Sequence, residues 1–440
     1  MQYYKREFYW SGKCISDQKT NSKGENIMFK SFPFTSWVYR DIGVYPVTEL
    51  DGQVECGLSI PMTPPLVHTN PTQVELLKKY LDRASELGVQ MILHVSSFTN
   101  SVLLKLSEEE YCRQLKEFYE VTLNSHPAVY GFFVGDEPDS IEMLNCTKRS
   151  IILMKQTLPG LIPYINMQGC SCDYPESHFG GMSHVAWLKS IINEVGYFMI
   201  SYDMYGQLVN DGGGTTNYFY ESKKIMDICE EAGIQPWACL ICSGHMVFHK
   251  PDEYDIMFQI TTAAAMGFAG INWFRFYDSP AVPNYHGSPV DQFGNKTTHY
   301  YDMLRCNRGF GEQFGEIFPH LKRKATYFFG EDRDRKSFGR FDETCHDVIA
   351  EVRSSFEESL ISFFEHDETG EEYFCLVNCS RKFYDHYEIR TKSDEYDVYM
   401  VFQNGLREGK RRLLKDKNDS FQSEDFLYPG QMALYKIKKK

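Results

Sequence analysis

Short apolar runs alternate with amphipathic segments from about Phe32 to about Leu321. Eight runs read as strands: 32–38, 56–61, 89–95, 129–135, 162–166, 197–202, 236–241 and 270–275. Near-continuous apolar character, rather than strict in–out alternation, marks strands covered on both faces. The segments between them carry helix punctuation. Asn70-Pro71 supplies a cap and an N1 proline, Val74, Leu77, Leu81 and Ala84 form one stripe, and Gly88 stops it. Ser107-x-x-Glu110 has the form of a capping box. Pro251 opens a helix with Ile256, Ile260 and Ala263 on one face. The link between the first two strands has the weakest helical pattern. Eight strands with crossovers predict an α/β fold, a (β/α)8 TIM barrel. No G-x-G-x-x-G or G-x-x-x-x-G-K-[ST] occurs, so a nucleotide-binding open sheet has no support.

Past this region the texture changes. A charged stretch at 331–336 precedes short runs at 360–364, 373–378, 387–389, 396–401 and 433–437, with turn signals Asn404-Gly405 and Pro429-Gly430. They predict a small antiparallel β-sandwich. The chain thus divides into an N-terminal extension over 1–31, a catalytic barrel over 32–330 and a C-terminal sandwich over 331–440.

Composition narrows the partners. The 440 residues carry 46 basic and 60 acidic side chains, a net charge of −14, which disfavours nucleic acid. The basic tail Lys436, Lys438, Lys439 and Lys440 reads as a solvated end. No run of about 18 apolar residues spans a membrane, and the first residues lack a signal peptide's apolar core. Thirteen scattered cysteines, an odd number in mostly apolar segments, suggest reduced core residues and a cytoplasmic setting. The CxxC of Cys239 and Cys242 together with Cys170-x-Cys172 raises zinc. Positions 239 and 242 face opposite sides of a strand, so no metal and no other cofactor is expected. Oligomeric state is not written in the sequence.

Barrel chemistry sits at the C-terminal ends of the strands. There the fourth run ends Gly131-Phe132-Phe133-Val134-Gly135-Asp136-Glu137-Pro138. A buried strand running into two carboxylates and a proline predicts a catalytic acid. Pro138 biases Glu137 towards an extended backbone. Alternation then aims Gly131 and Gly135 at a pocket, where two missing side chains leave room for a ligand. The plainer alternative is that these acids complement the dipole of the next helix.

This segment resembles the strand-4 acid motif of the large clan of (β/α)8 glycoside hydrolases, clan A. The layout through the later strands into a C-terminal sandwich is similar to bacterial barrels related to the β-galactosidase families. The resemblance covers most of the chain in layout, but only the Asp-Glu-Pro segment is motif-specific. It implies that Glu137 is the general acid/base and that Asp136 stands where the clan has an asparagine on the sugar 2-hydroxyl. An aspartate there accepts a hydrogen bond instead of donating one. The clan's nucleophile, a glutamate ending strand 7, has no counterpart. Cys239-Leu240-Ile241-Cys242-Ser243-Gly244-His245 holds no acid before Asp252.

The best substitute is Asp203, which ends the sixth run between Tyr202 and Tyr205. Its alternative role is to orient a neighbour. Asp278, Asp173 and Glu176 are rivals. Candidate sugar-binding residues at strand ends are Trp37, His94, Asn166, Tyr205, His245, Trp273 and Tyr277, with Gln168 and Arg275 as further polar groups. For the aromatics, core packing is the competing reading. The expectation is a glycoside hydrolase acting on a small glycoside through Glu137 and Asp203. Its alternative is a non-catalytic carbohydrate-binding barrel, motivated by the missing strand-7 acid.

Overall fold

The computed structural model describes residues 30–169, 176–196, 199–209, 214–279, 284–330, 337–354, 358–419 and 425–440. The expected N-terminal extension up to residue 29, the 331–336 stretch, Cys170, Cys172 and Asp173 lie outside these residues.

Seven strands form one parallel curled sheet. They are β1 (Phe34–Ser36), β2 (Met91–Leu93), β3 (Val129–Asp136), β4 (Ile162–Met167), β5 (Met199–Asp203), β6 (Trp237–Ile241) and β8 (Ile271–Phe274). The two-residue strands β7 (Gly244–His245) and β9 (Tyr285–His286) pair separately, above the strand ends. The sheet order is β1-β8-β6-β5-β4-β3-β2. The predicted second strand is not regular. Its segment still closes the ring: Ser59 and Ile60 N–H donate to Phe34 O (3.0 and 3.1 Å), while Ile92 N–H donates to Pro61 O (3.0 Å) and Thr63 N–H to Ile92 O (2.9 Å). Pro61, Pro64 and Pro65 deny this segment the donors of a full ladder.

Among the described residues, eight helices cover the sheet: α1 (Glu49–Glu55), α2 (Pro71–Leu87), α3 (Glu108–Lys116), α4 (Ile141–Thr157), α5 (His184–Val195), α6 (Gly214–Glu231), α7 (Glu253–Met266) and α8 (Thr298–Phe310). Helix α2 starts as its punctuation predicts. The Asn70 side chain accepts from Thr72 and Gln73 N–H, and Gly88 closes the helix at φ +71°. At α3, Ser107 accepts from Glu110 N–H, but the Glu110 carboxylate turns to Arg113 and Gln114. The reciprocal half of that box yields to an ion pair. Helix α7 begins at Glu253 rather than at Pro251, because Asp252 and Asp255 form a capping box.

Strand alternation splits the barrel residues into two sets. Trp37, Tyr130, Phe133, Tyr164, Met199, Trp237 and Cys239 meet in the lumen. Phe34, Phe132, Val134, Ile165, Ile200, Leu240 and Trp273 face the helices.

The later strands are β10 (Leu321–Phe329), β11 (Ile349–Ser354), β12 (Ser359–His366), β13 (Glu372–Asn378), β14 (Asp385–Thr391), β15 (Tyr396–Phe402), β16 (Arg407–Lys410), β17 (Phe426–Leu427) and β18 (Met432–Lys439). An antiparallel sheet of order β10-β12-β13-β18-β15-β16 faces a smaller one, β11-β14-β17. Strand β10 pairs with β12, so this sheet starts at Leu321, ahead of the charged stretch. Ile361, Phe363, Phe374, Leu376 and Ile437 meet Ile349, Val352, Tyr387 and Ile389 between the sheets. The alternate residues Leu360, Phe364, Cys375, Val377 and Leu434 join the core of the barrel instead. The six-stranded sheet is therefore apolar on both faces. Lys436 and Lys438 are not a solvated tail: they lie in β18 and pair with Glu371 and Glu408. No helix among the described residues is long and apolar enough to cross a membrane.

Candidate active site

The strand that ends in acids does not end as alternation alone predicts. The β3–β4 register shifts between Phe133 and Gly135. Phe133 points into the lumen. Past the bulge, Gly135 faces outward: a Cβ there would sit 2.6 Å from Asn100 Nδ2. A Cβ on Gly131 would strike the carbonyl of Ile162. Both glycines therefore serve close backbone and side-chain approach, and neither opens room for a ligand. The shift aims Asp136 at the barrel axis. Glu137 is not extended either; its φ is +36°, in the left-handed region. Such a conformation in a non-glycine residue costs about 1–3 kcal/mol and persists where surrounding structure dictates it. Here Glu137 N–H is fixed on Asn166 O (3.0 Å).

Asn166 is the centre of the site. It is buried on β4, and its Nδ2 donates to both Asp136 Oδ1 (3.0 Å) and Asp203 Oδ1 (2.9 Å). Its amide orientation is set from below. Asn272 Nδ2 donates to the Tyr164 hydroxyl, and Tyr164 donates to Ser201 Oγ (2.8 Å). Ser201 then donates to Asn166 Oδ1 (2.6 Å). Each hydroxyl in this line accepts once and donates once, so both amide hydrogens of Asn166 are left for the two carboxylates. The line crosses the lumen from β8 to β3.

Three carboxyls converge. Asp203 ends β5 and shares a side-chain hydrogen bond with Glu137. Solvent reaches Asp136 and Glu137, yet protein closes round them enough that burial leads all three shifts. Burial, the hydrogen bond to Asp203 and its negative charge push Glu137 up to about 8. Burial raises Asp136 to about 6, against the hydrogen bond from Asn166. Burial also raises Asp203, but the bond to Glu137 acts on it in the opposite sense. Of the pair, Glu137 keeps the shared proton near neutrality.

The wall beside this cluster is aromatic. Tyr39 donates to Asp136 Oδ2 (3.4 Å), and its ring, 41% exposed, stacks on Trp37 at 5.4 Å. Trp37 itself is buried and forms the floor under Tyr39, touching Phe133 at 5.2 Å. Tyr205 sets its hydroxyl on Cys239 Sγ (3.7 Å) and its edge on His245. His245 is buried and stacked on Tyr285 at 5.2 Å. Desolvation lowers its pKa. His94 lies half-buried against Phe133 at 4.5 Å, and burial lowers it to about 4.

Two expected site residues are elsewhere. Trp273 is fully buried on the helix-facing side of β8, because alternation gives the lumen to Asn272 and Phe274. Tyr277 is buried in the same outer core, where its hydroxyl accepts from Gln53 Nε2 (3.0 Å). Gln168 donates to Pro138 O (2.9 Å), bracing the Glu137 turn. Among the rival acids, Asp278 spends its oxygens on Gly287 and Ser288 N–H (3.2 and 3.1 Å). Glu176 is exposed on a short helical turn. Cys239 faces the lumen and Cys242 the outer core. Tyr39 and Tyr285 were not singled out by sequence. Tyr39 stands two residues beyond Trp37, at the spacing that continues one strand face.

This barrel, with acids at its strand ends, has the fold of the (β/α)8 glycoside hydrolases. No protein-family profile matches the chain, and no curated protein does. Among solved structures, one described as a glycoside hydrolase aligns over 93% of this chain and 92% of its own, at 12% identity and a TM-score of 0.52. A β-galactosidase from Rahnella sp. R3 aligns over 67% of this chain, at 11% identity and a TM-score of 0.50. One from Marinomonas ef1 aligns over 63%, at 11% identity and 0.46. The chain spans just under three-fifths of each of these two β-galactosidases.

Proposed function

We propose that the protein is a glycoside hydrolase acting on a small glycoside, with Glu137 as general acid/base and Asp203 as nucleophile. The observation that carries this reading is the Glu137–Asp203 pair: two carboxyls in hydrogen-bond contact at the ends of β3 and β5, with Glu137 pushed up to about 8. Glycosidic cleavage needs a protonated acid at the leaving oxygen and a negative charge facing the oxocarbenium-like carbon. Burial and the neighbouring carboxylate keep the proton on Glu137, which is what the acid requires. Asn166 stabilises the ionised form of Asp203 by donating to it. Retaining enzymes hold their carboxyls about 5–5.5 Å apart, and inverting ones about 6.5–9.5 Å apart to admit water. Carboxyls close enough to act on each other's protonation lie on the short side of this divide, so retention through a glycosyl ester on Asp203 is the route this reading takes.

The pair comes from strands 4 and 6 of the barrel. That pairing removes the need for a strand-7 acid, the feature that motivated a non-catalytic sugar-binding barrel. The test is turnover of a panel of aryl glycosides by wild type, Glu137→Gln and Asp203→Asn. Wild-type turnover that both variants lose, with circular dichroism unchanged, supports the assignment. Full activity in Glu137→Gln would sink it, and sugar binding without turnover in wild type would favour the non-catalytic barrel.

A further inference from the structure

The site also holds a buried cation that the hydrolytic pair does not use. Arg275 follows β8 and is 4% exposed. Its guanidinium lies 4.1 Å from the ring centre of Tyr285 and 5.7 Å from that of Tyr39. Tyr39 is the residue that bonds Asp136, so Arg275 sits one ring away from the carboxyl cluster. Its Nε and Nη2 are both buried, and no described residue accepts from either. The nearest acid in influence is Asp278, whose two oxygens are already taken by Gly287 and Ser288 N–H. A buried, unpaired charge is costly, and burial duly lowers the pKa of this arginine.

The identity of the two bare nitrogens matters. Nε–H and one Nη2–H point the same way from one edge of the guanidinium, the fork that takes a planar carboxylate in two parallel bonds. The chain shows repeatedly what this edge binds, on Glu108 from Arg149 and on Glu351 from Arg353 among others. Arg83 uses Nε and Nη2 on Asp51 (2.7 and 3.0 Å), Arg113 on Glu110 (2.7 and 2.6 Å) and Arg305 on Glu253 (3.0 and 2.8 Å). In Arg275 the same fork is present, and no carboxylate among the described residues fills it.

We infer that the substrate supplies it: the glycone is a uronic acid, and Arg275 binds its C5 carboxylate. The inference rests on the glycosidase reading for where the reacting carbon lies. With that carbon at Glu137 and Asp203, the C5 carboxylate lies just across the ring oxygen from it, and the proposal sets it on the side of the Tyr39–Tyr285 wall. Tyr39 is the wall that turns aside to admit it, since it is exposed and held on Asp136 by one long hydrogen bond. A neutral hexose offers hydroxyls there and leaves the arginine without a counter-charge.

The experiment has two arms. In the first, kcat/KM is measured for aryl uronides and the matching aryl hexosides of both anomers, with wild type, Arg275→Lys and Arg275→Met. Uronides are expected to lead by about 100-fold or more. Arg275→Met collapses the ratio, and Arg275→Lys, which keeps the charge but loses the fork, falls between. Turnover confined to hexosides overturns the uronate proposal and leaves the hydrolase reading standing. In the second arm, binding of free glucuronate, galacturonate, glucose, galactose and 6-sulfated galactose to Glu137→Gln is measured by calorimetry, which needs no turnover. Uronate binding that disappears in Glu137→Gln/Arg275→Met supports the proposal even if no aryl glycoside is cleaved. Preference for the sulfate ester, or no uronate binding at all, overturns it.

Discussion

The barrel lumen and the interior of the sandwich are both β cores packed with aromatic rings, and they use buried polarity in opposite ways. In the sandwich, Ile361, Phe363, Phe374, Leu376 and Ile437 pack hydrocarbon on hydrocarbon, while Tyr387 and Tyr435 send their hydroxyls to Ser359 and Asp425. In the lumen, a line of hydrogen bonds from Asn272 through Tyr164 and Ser201 to Asn166 crosses the core and ends on carboxylates. A polar line through a core is costly wherever a member is unpaired; this one is closed at its acid end by the carboxylates it positions, while Asn272 Oδ1 at its start has no partner among the described residues. One core stores stability and the other stores orientation.

The strongest way to break this contrast is at the acid. Glu137→Gln is expected to lower kcat by about 10³–10⁴-fold, equivalent to about 4–5.5 kcal/mol of barrier, with little change in melting temperature. In the sandwich the effect reverses. Phe374 is fully buried and stacked on Tyr435 at 4.9 Å. Phe374→Ala should cost about 3–5 kcal/mol in urea unfolding and leave kcat of the folded enzyme near wild type. A large kcat loss in that variant would mean that the two cores are not separable.

Asn166→Ala tests the link between polarity and orientation. It removes both donors to Asp136 and Asp203, so kcat should fall about 10–100-fold and the pH profile should shift. A KM effect alone would reduce Asn166 to a substrate contact. The pH profile has its own sign. Glu137 must be protonated, so kcat/KM should decline above about pH 8, the value burial and Asp203 give it. A flat alkaline limb counts against Glu137 as the acid.

The smallest effect concerns stability. The pKa of Glu137 in the folded protein lies above its ordinary 4.5, so the folded state holds this proton more tightly than the unfolded one. The contribution is full below about pH 4.5 and is lost as pH rises through about 8. Glu137→Gln should therefore narrow the difference in melting temperature between pH 6 and pH 9, by about a degree or two given the solvent access of the group.

Much of this was legible in the chain. Seven barrel strands and the acids ending β3 and β5 follow from apolar runs that stop at carboxylates. Glu137 stands out by its place at a strand end, a property that periodicity carries. Its backbone conformation was not legible, because the bulge after Phe133 depends on contact with β4 and Asn100, residues distant in sequence. Trp273 was misplaced for a related reason. In a strand covered on both faces, apolar character does not say which side is the lumen. Strand β10 was hidden because Lys322, Arg323 and Lys324 interrupt its apolar residues. Arg275 was visible as a residue, but its bare fork is a fact about what surrounds it.

The position of β18 has a consequence for how the molecule is made. This strand lies between β13 and β15, yet its residues 432–439 follow every other strand of its sheet in the chain. As the chain leaves the ribosome, β13 and β15 each wait with an open edge, separated by a gap that residues 432–439 fill. The barrel, by contrast, has all its strands once residue 274 is out. Synthesis thus delivers a closable barrel first and a half-built sheet second. Release of residues 432–439 is the step that joins the two halves of that sheet.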